Sequence, residues 1–179
     1  LHYPLRRQRQ MCIRDSVLIR RGEIENARAE LQTGQEYFEK AQVRDFLPEL
    51  CRHCAEAELA AGALAEAEAR AYQALELARE LEMRGEEGYT LRVLGEVSST
   101  QSKFNLAEEQ LVQSITILEE MEDEYQAARS QLALAQLYAR QNKAASVQQA
   151  LDQCRPVFER LGAALDLEII QKLKQQLKE

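Results

Sequence analysis

Residues 91–111 read LRVLGEVSSTQSKFNLAEEQL, and the small residues in this stretch decide the fold. Gly95, Ser102 and Ala107 recur forty positions earlier as Ala55, Gly62 and Ala67, and forty later as Ala135, Asn142 and Val147. Apolar positions keep the same ruler: Leu64, Phe104 and Ala144; Ala71, Leu111 and Leu151; Ala78, Leu118 and Phe158; Leu81, Met121 and Leu161. A partial earlier copy is present at Gly22, Ile24, Ala27, Leu31, Phe38 and Ala41. Self-similarity at a fixed period predicts a repeat array, in which each unit buries its apolar face only by stacking on its neighbours.

Composition narrows the class. Among 179 residues 45% are hydrophobic and 30% charged, Trp is absent, and 3 Pro and 7 Gly are too few for a turn-rich fold, so the chain reads as almost entirely helical. A membrane span is not expected, because no run of about eighteen apolar residues is present. The net charge of −7 disfavours direct binding of a nucleic-acid backbone, which needs clustered Lys and Arg. The four cysteines are expected in a reducing, cytoplasmic setting.

Helical spacing places the elements. A helix is expected over 45–61, capped by Asp45 and tolerating Pro48 in its first turn, with Gly62 breaking it. Its partner covers 64–83, with Ala67, Ala71, Ala74, Leu75 and Ala78 on one stripe and Gly85 and Gly88 closing the unit. The cycle repeats as 87–100 with 104–121, and 125–140 with 144–161. Short connections at Gly62, Ser102 and Asn142 predict antiparallel hairpins. Pro156 falls well inside a predicted helix, and a kink is expected there. Beyond Gly162, Leu165, Ile169, Leu173 and Leu177 with Ile170 describe an amphipathic stripe, with Asp166, Lys172 and Lys174 on the other side. Residues 163–179 are therefore expected to form a helix that caps the array.

The twelve-residue separation between the small residue of the first helix and the Ala or Val of the second resembles the tetratricopeptide repeat. Leu94-Gly95 with Ala107, Leu111 and Ser114 carries it best, and Leu134-Ala135 with Val147, Leu151 and Cys154 follows. The resemblance covers residues 17–162 and implies an all-α, right-handed superhelical solenoid of antiparallel helix hairpins. The family period is about thirty-four. Here Arg79, Glu119 and Glu159 replace the Pro that usually ends the second helix, and that helix can run on to give forty. Such extended repeats are similar to those beside nucleotide-binding modules in bacterial signalling proteins, including maltose-regulator-like activators and ATPase-cyclase fusions.

Residues 6–16, RRQRQMCIRDS, resemble one reading frame of a transposon adapter used in sequencing libraries. Residues 1–16 are accordingly read as non-native. Setting 6–16 aside removes four Arg and one Asp, which takes the net charge from −7 to −10. On this reading the native sequence starts near Val17, partway through a repeat, with a longer parent upstream. The opened N-terminal end of the array is then expected to self-associate or fray.

Cys51-Arg52-His53-Cys54 has the spacing of a thiol or zinc motif, but no second Cys pair completes four ligands. Cys51 and Cys54 match Leu91 and Leu94 of the next repeat and are read as core residues, as is Cys154, which matches Ala74 and Ser114. Neither a catalytic set, a metal site nor a cofactor motif is recognised. The glutamates at 86–87 and 119–124 are read as solvated helix ends. In tetratricopeptide-like arrays the first helix of each pair lines the concave face. That implies a binding surface of Glu49, Arg52, His53 and Glu56; Tyr89, Arg92 and Glu96; and Arg129, Gln136 and Arg140, with Val93 and Leu132 between them. Arg52 and Arg92 have two roles open to them: receiving an acidic peptide, or pairing with Glu56 and Glu96 at i,i+4. The function implied is non-catalytic protein or peptide binding, as the C-terminal repeat region of a larger regulator. A second reading is effector sensing that controls an upstream ATPase, cyclase or DNA-binding module of the same parent chain.

Overall fold

The computed structural model describes residues 18–19, 21–41 and 44–176. Among them are eight longer helices and no strand: α1 Ile24–Ala41, α2 Leu47–Ala61, α3 Leu64–Glu80, α4 Arg84–Thr100, α5 Phe104–Glu120, α6 Glu124–Arg140, α7 Ala144–Leu161 and α8 Ala164–Gln176. The adapter-like residues 1–16, Val17 and Leu177 lie outside the described residues.

Two helix boundaries differ from expectation. Phe46, not Asp45, stands at the N-cap of α2, and no side chain caps that end. Gly85 and Gly88 do not close the second helix; they lie inside α4, which starts three residues earlier than its apolar pattern indicates. The reason at Gly88 is packing, because a Cβ there would lie 2.9 Å from Leu118 Cδ2. α7 continues through Pro156, which sits on its exposed side and removes the hydrogen bond to the Asp152 carbonyl.

The turns share one backbone solution. Positive φ recurs every twenty residues from Gly62 to Gly162, at Gly62, Glu82, Ser102, Glu122, Asn142 and Gly162, with a further instance at Gly22. After each of the six, the next N–H reaches the carbonyl five residues back: Ala63 to Glu58, Met83 to Ala78, Lys103 to Ser98, Asp123 to Leu118, Lys143 to Tyr138 and Ala163 to Phe158, at 2.8 to 3.0 Å. This is the Schellman closure, which satisfies carbonyls that a helix end leaves without partners. Four of the six left-handed residues are not glycine. The structural module is thus a helix and a turn of twenty residues, two of which make the forty-residue sequence period.

The chain forms two compact units, Leu1–Glu86 and Glu87–Glu179. In the first, α2 packs against α1 and α3. Leu31 and Phe38 of α1 meet Leu50 and Ala57 of α2, and the Phe38 ring stacks on Phe46 at 5.6 Å. Ala55, Ala67, Ala71 and Ala74 are fully buried, as a close helix crossing requires of small side chains.

In the second unit, α6 packs against α5 and α7, and α8 against α6 and α7. The predicted seam residues Gly95, Ala107, Ala135 and Val147 are all buried. Polar side chains cross the same core in bonded pairs. Ser98 donates to Gln110 Oε1 at 2.8 Å, and Ser114 donates to the Gly88 carbonyl at 2.7 Å while its hydroxyl lies 2.8 Å from that of Ser130. The last helix is rotated relative to expectation. α8 buries Asp166, Ile170 and Leu173, whereas Leu165 is 45% exposed. Asp166, assigned by its charge to the outer side, accepts a hydrogen bond from Tyr125 at 3.1 Å.

Candidate functional site

Among the candidate binding residues, the structure brings together those on α2. Arg52 and His53 are only 6% and 4% exposed, and Glu86 at the start of α4 lies against Arg52. Arg52 Nε donates to Glu86 Oε2 at 2.8 Å, and Arg52 Nη1 donates to Glu56 Oε1 at 3.2 Å. His53 Nδ1 lies 3.0 Å from Glu56 Oε2, its Nε2 lies 3.3 Å from Arg52 Nη2, and Glu49 Oε1 stands 3.8 Å from Nε2. Burial works against the charge of Arg52, but the carboxylates of Glu86 and Glu56 outweigh it and hold the guanidinium above its ordinary value. Ion pairs of this kind lose much of their attraction to desolvation, so the cluster specifies geometry more than it adds stability.

The second unit repeats the register with different chemistry. Arg92, 2% exposed, donates to Gln126 Oε1 at 2.9 Å. Tyr89 donates to Asp123 Oδ2 at 2.7 Å, while Asp123 Oδ1 accepts from the Gln126 N–H and caps α6. All three cross-helix pairs, Arg52–Glu86, Tyr89–Asp123 and Arg92–Gln126, span 34 residues. Glu86, Asp123 and Gln126 are therefore the partners that sequence reading missed, and the constant spacing is the signal that would have found them. Glu86 is not a solvated helix end, since its side chain is 11% exposed. Glu124 pairs with Arg160 on the surface.

The remaining candidates divide by exposure. Glu49, Glu56, Tyr89, Glu96 and Arg129 are half-buried, Gln136 and Arg140 are exposed, and Val93 and Leu132 are buried. Arg129 Nη1 lies 3.5 Å from Gln126 Oε1. Within the described residues, then, the open part of the candidate surface is on α6.

Cys51 and Cys154 are buried and Cys54 is half-buried. Burial pushes the Cys51 thiol up, and pushes that of Cys154 up to about 11. Both thiols are therefore poor nucleophiles near neutral pH. A groove of about 610 Å³ lies beside Cys54 in the first unit, walled by Gln32, Gln35 and Arg70 and crossed by the Arg28–Glu58 ion pair at 3.0 Å. Among the described residues, no three His, Cys, Asp or Glu side chains are grouped to hold a metal ion, and no helix is long and apolar enough to cross a membrane.

Comparison with models of known protein families gives no match, and comparison with curated proteins gives none either.

Proposed function

We propose that the chain is a non-catalytic scaffold that binds a protein or peptide, the C-terminal repeat region of a larger, cytoplasmic bacterial regulator. Its finer architecture is a right-handed superhelical solenoid of antiparallel helix hairpins, similar to extended tetratricopeptide repeats and ended by α8. One observation carries the reading. The same left-handed turn recurs every twenty residues from Gly62 to Gly162, and each unit has a core of small residues at a forty-residue spacing. Repeated helix-turn modules with little side-chain bulk at their crossings build extended surfaces rather than enclosed pockets.

The binding surface on this reading centres on α6, which carries the two exposed candidates, Gln136 and Arg140, beside half-buried Arg129. Two arginines favour an acidic partner segment. Buried Arg52 and Arg92 act inside their own units, positioning α2 and α4. A pull-down with the full-length parent, followed by cross-link mapping, tests the proposal. Cross-links are expected on α6, and the Arg129→Glu/Arg140→Glu variant is expected to bind at least tenfold more weakly, with wild-type affinity falling as salt rises. Equal affinity in that variant would overturn the assignment of the surface, and a chemical turnover by the purified chain would overturn the non-catalytic reading.

A further inference from the structure

His53 sits buried in a charge cluster that peptide binding does not use. Its two ring nitrogens face opposite chemistry. Nδ1 meets the carboxylate of Glu56 at 3.0 Å, whereas Nε2 meets Arg52 Nη2 at 3.3 Å. A guanidinium only donates, so Nε2 must accept and the ring proton must be on Nδ1. That same Nη2 also lies 3.5 Å from Glu86 Oε1, while Nε of Arg52 already holds Glu86 Oε2 at 2.8 Å.

We infer that protonation of His53 at Nε2 operates a clamp, moving Nε2 from Arg52 to Glu49 and turning Arg52 Nη2, now shared between His53 and Glu86, fully onto Glu86 in the first turn of α4. The step takes one proton from solvent onto the Nε2 lone pair, and no covalent bond breaks. Two N–H groups cannot face each other, so Arg52 Nη2 has to turn away once Nε2 carries a proton. Each donor has an acceptor within reach: Glu49 Oε1, 3.8 Å from Nε2, and Glu86 Oε1. Nη2, no longer shared with the ring, then tightens the second arm of the two-point fork on Glu86, whose first arm is the Nε bond at 2.8 Å, while Nη1 stays on Glu56.

The electrostatic surroundings favour the closed form. Glu49, Arg52 and Glu56 face His53 from its own helix, and Glu86 approaches from α4 behind Arg52. Arg70 of α3 acts on Cys51 instead, and Arg28 of α1 is paired with Glu58. Burial and the Arg52 charge disfavour the imidazolium, but hydrogen bonds to Glu49 and Glu56 prevail and raise the ring above its ordinary 6.5. With the folded value raised, the clamp's contribution to stability is complete below pH 6.5 and is lost as pH rises through the folded value. A rise in pH through that folded value opens it.

NMR titration of the whole chain tests this. The chain has two histidines, His2 and His53, and the His53→Gln variant assigns their ring signals. The His53 midpoint is expected above 6.5. The Arg52 Nε–H resonance is expected to move with the same midpoint, and Glu49→Gln to shift both midpoints downward. As pH rises from 6.5 through the observed His53 midpoint, the urea midpoint of the wild type should fall more than that of His53→Gln. A His53 midpoint at or below the ordinary value, or an Arg52 resonance that stays constant across the His53 titration, would overturn the clamp. Should His53→Gln fail to fold, the wild-type and Glu49→Gln titrations decide the matter alone.

Discussion

Replacing Gly95 by alanine sets two opposed effects against each other. Gly95 is in the interior of α4, where alanine is ordinarily the better helix former by about 1 kcal/mol. The added Cβ, however, would lie 2.5 Å from Leu111 Cγ, 2.8 Å from Leu111 Cδ2 and 3.3 Å from the Ala107 carbonyl oxygen. Carbon atoms attract best at roughly 3.5–4.0 Å, so the closest contact is short by about 1 Å. Leu111 has no exposed surface and therefore no solvent side to retreat to. Overpacking on this scale costs about 1–3 kcal/mol, which leaves a net loss of up to about 2 kcal/mol after the propensity gain of about 1 kcal/mol. Urea unfolding followed by far-ultraviolet circular dichroism measures it, since the chain has no Trp. A double-mutant cycle isolates the contact. Leu111→Ala alone should cost about 2–5 kcal/mol, and combined with Gly95→Ala it should cost less than the sum of the two single changes by about 1–3 kcal/mol. Gly95→Leu, which adds three further carbons at the crossing, should be worse than Gly95→Ala. A Gly95→Ala protein more stable than the wild type, or single changes that simply add in the double variant, would refute the close crossing of α4 and α5.

Three further outcomes follow from particular geometries. Glu122 holds φ 58°, a region that costs an L-residue about 1–2 kcal/mol, so Glu122→Gly should stabilise by about 0.5–1 kcal/mol while Gly62→Ala destabilises by about 1 kcal/mol. The same sign for both changes in urea unfolding would contradict the turn assignment. Thr90 is fully buried and its Oγ1 has no hydrogen-bond partner among the described residues, so Thr90→Val should be neutral or stabilising by up to about 1 kcal/mol. A clear loss of stability in calorimetry would mean that the hydroxyl is bonded. With iodoacetamide near pH 8, mass mapping should find Cys54 alkylated before Cys51 and Cys154, because the Cys154 thiol is pushed up to about 11 and both are buried. Equal labelling rates would refute the buried placement.

The order of residues determines the local part of this protein. Helices, breaks and seam positions follow from side-chain size and periodicity over a few turns, so Gly95, Ala107, Ala135 and Val147 were legible as packing sites and are buried. Local signals misread the closure at Glu82. The nearby Gly85 and Gly88 look like the stop, yet the backbone turns left-handed at a glutamate because the helix end must satisfy its own carbonyls, and the Met83 N–H reaches the Ala78 carbonyl at 2.8 Å. The tertiary structure decides everything that depends on desolvation by distant chain. Arg52 was legible as a partner of Glu56, four residues away, but not as the buried partner of Glu86, 34 residues away. Asp166 reads as a surface charge until Tyr125, 41 residues earlier, covers it and donates to it. A charge's environment is set by the groups that exclude water from it, and those groups come from other helices. A periodic pattern fixes which face of its own helix a residue occupies, but not what covers that face.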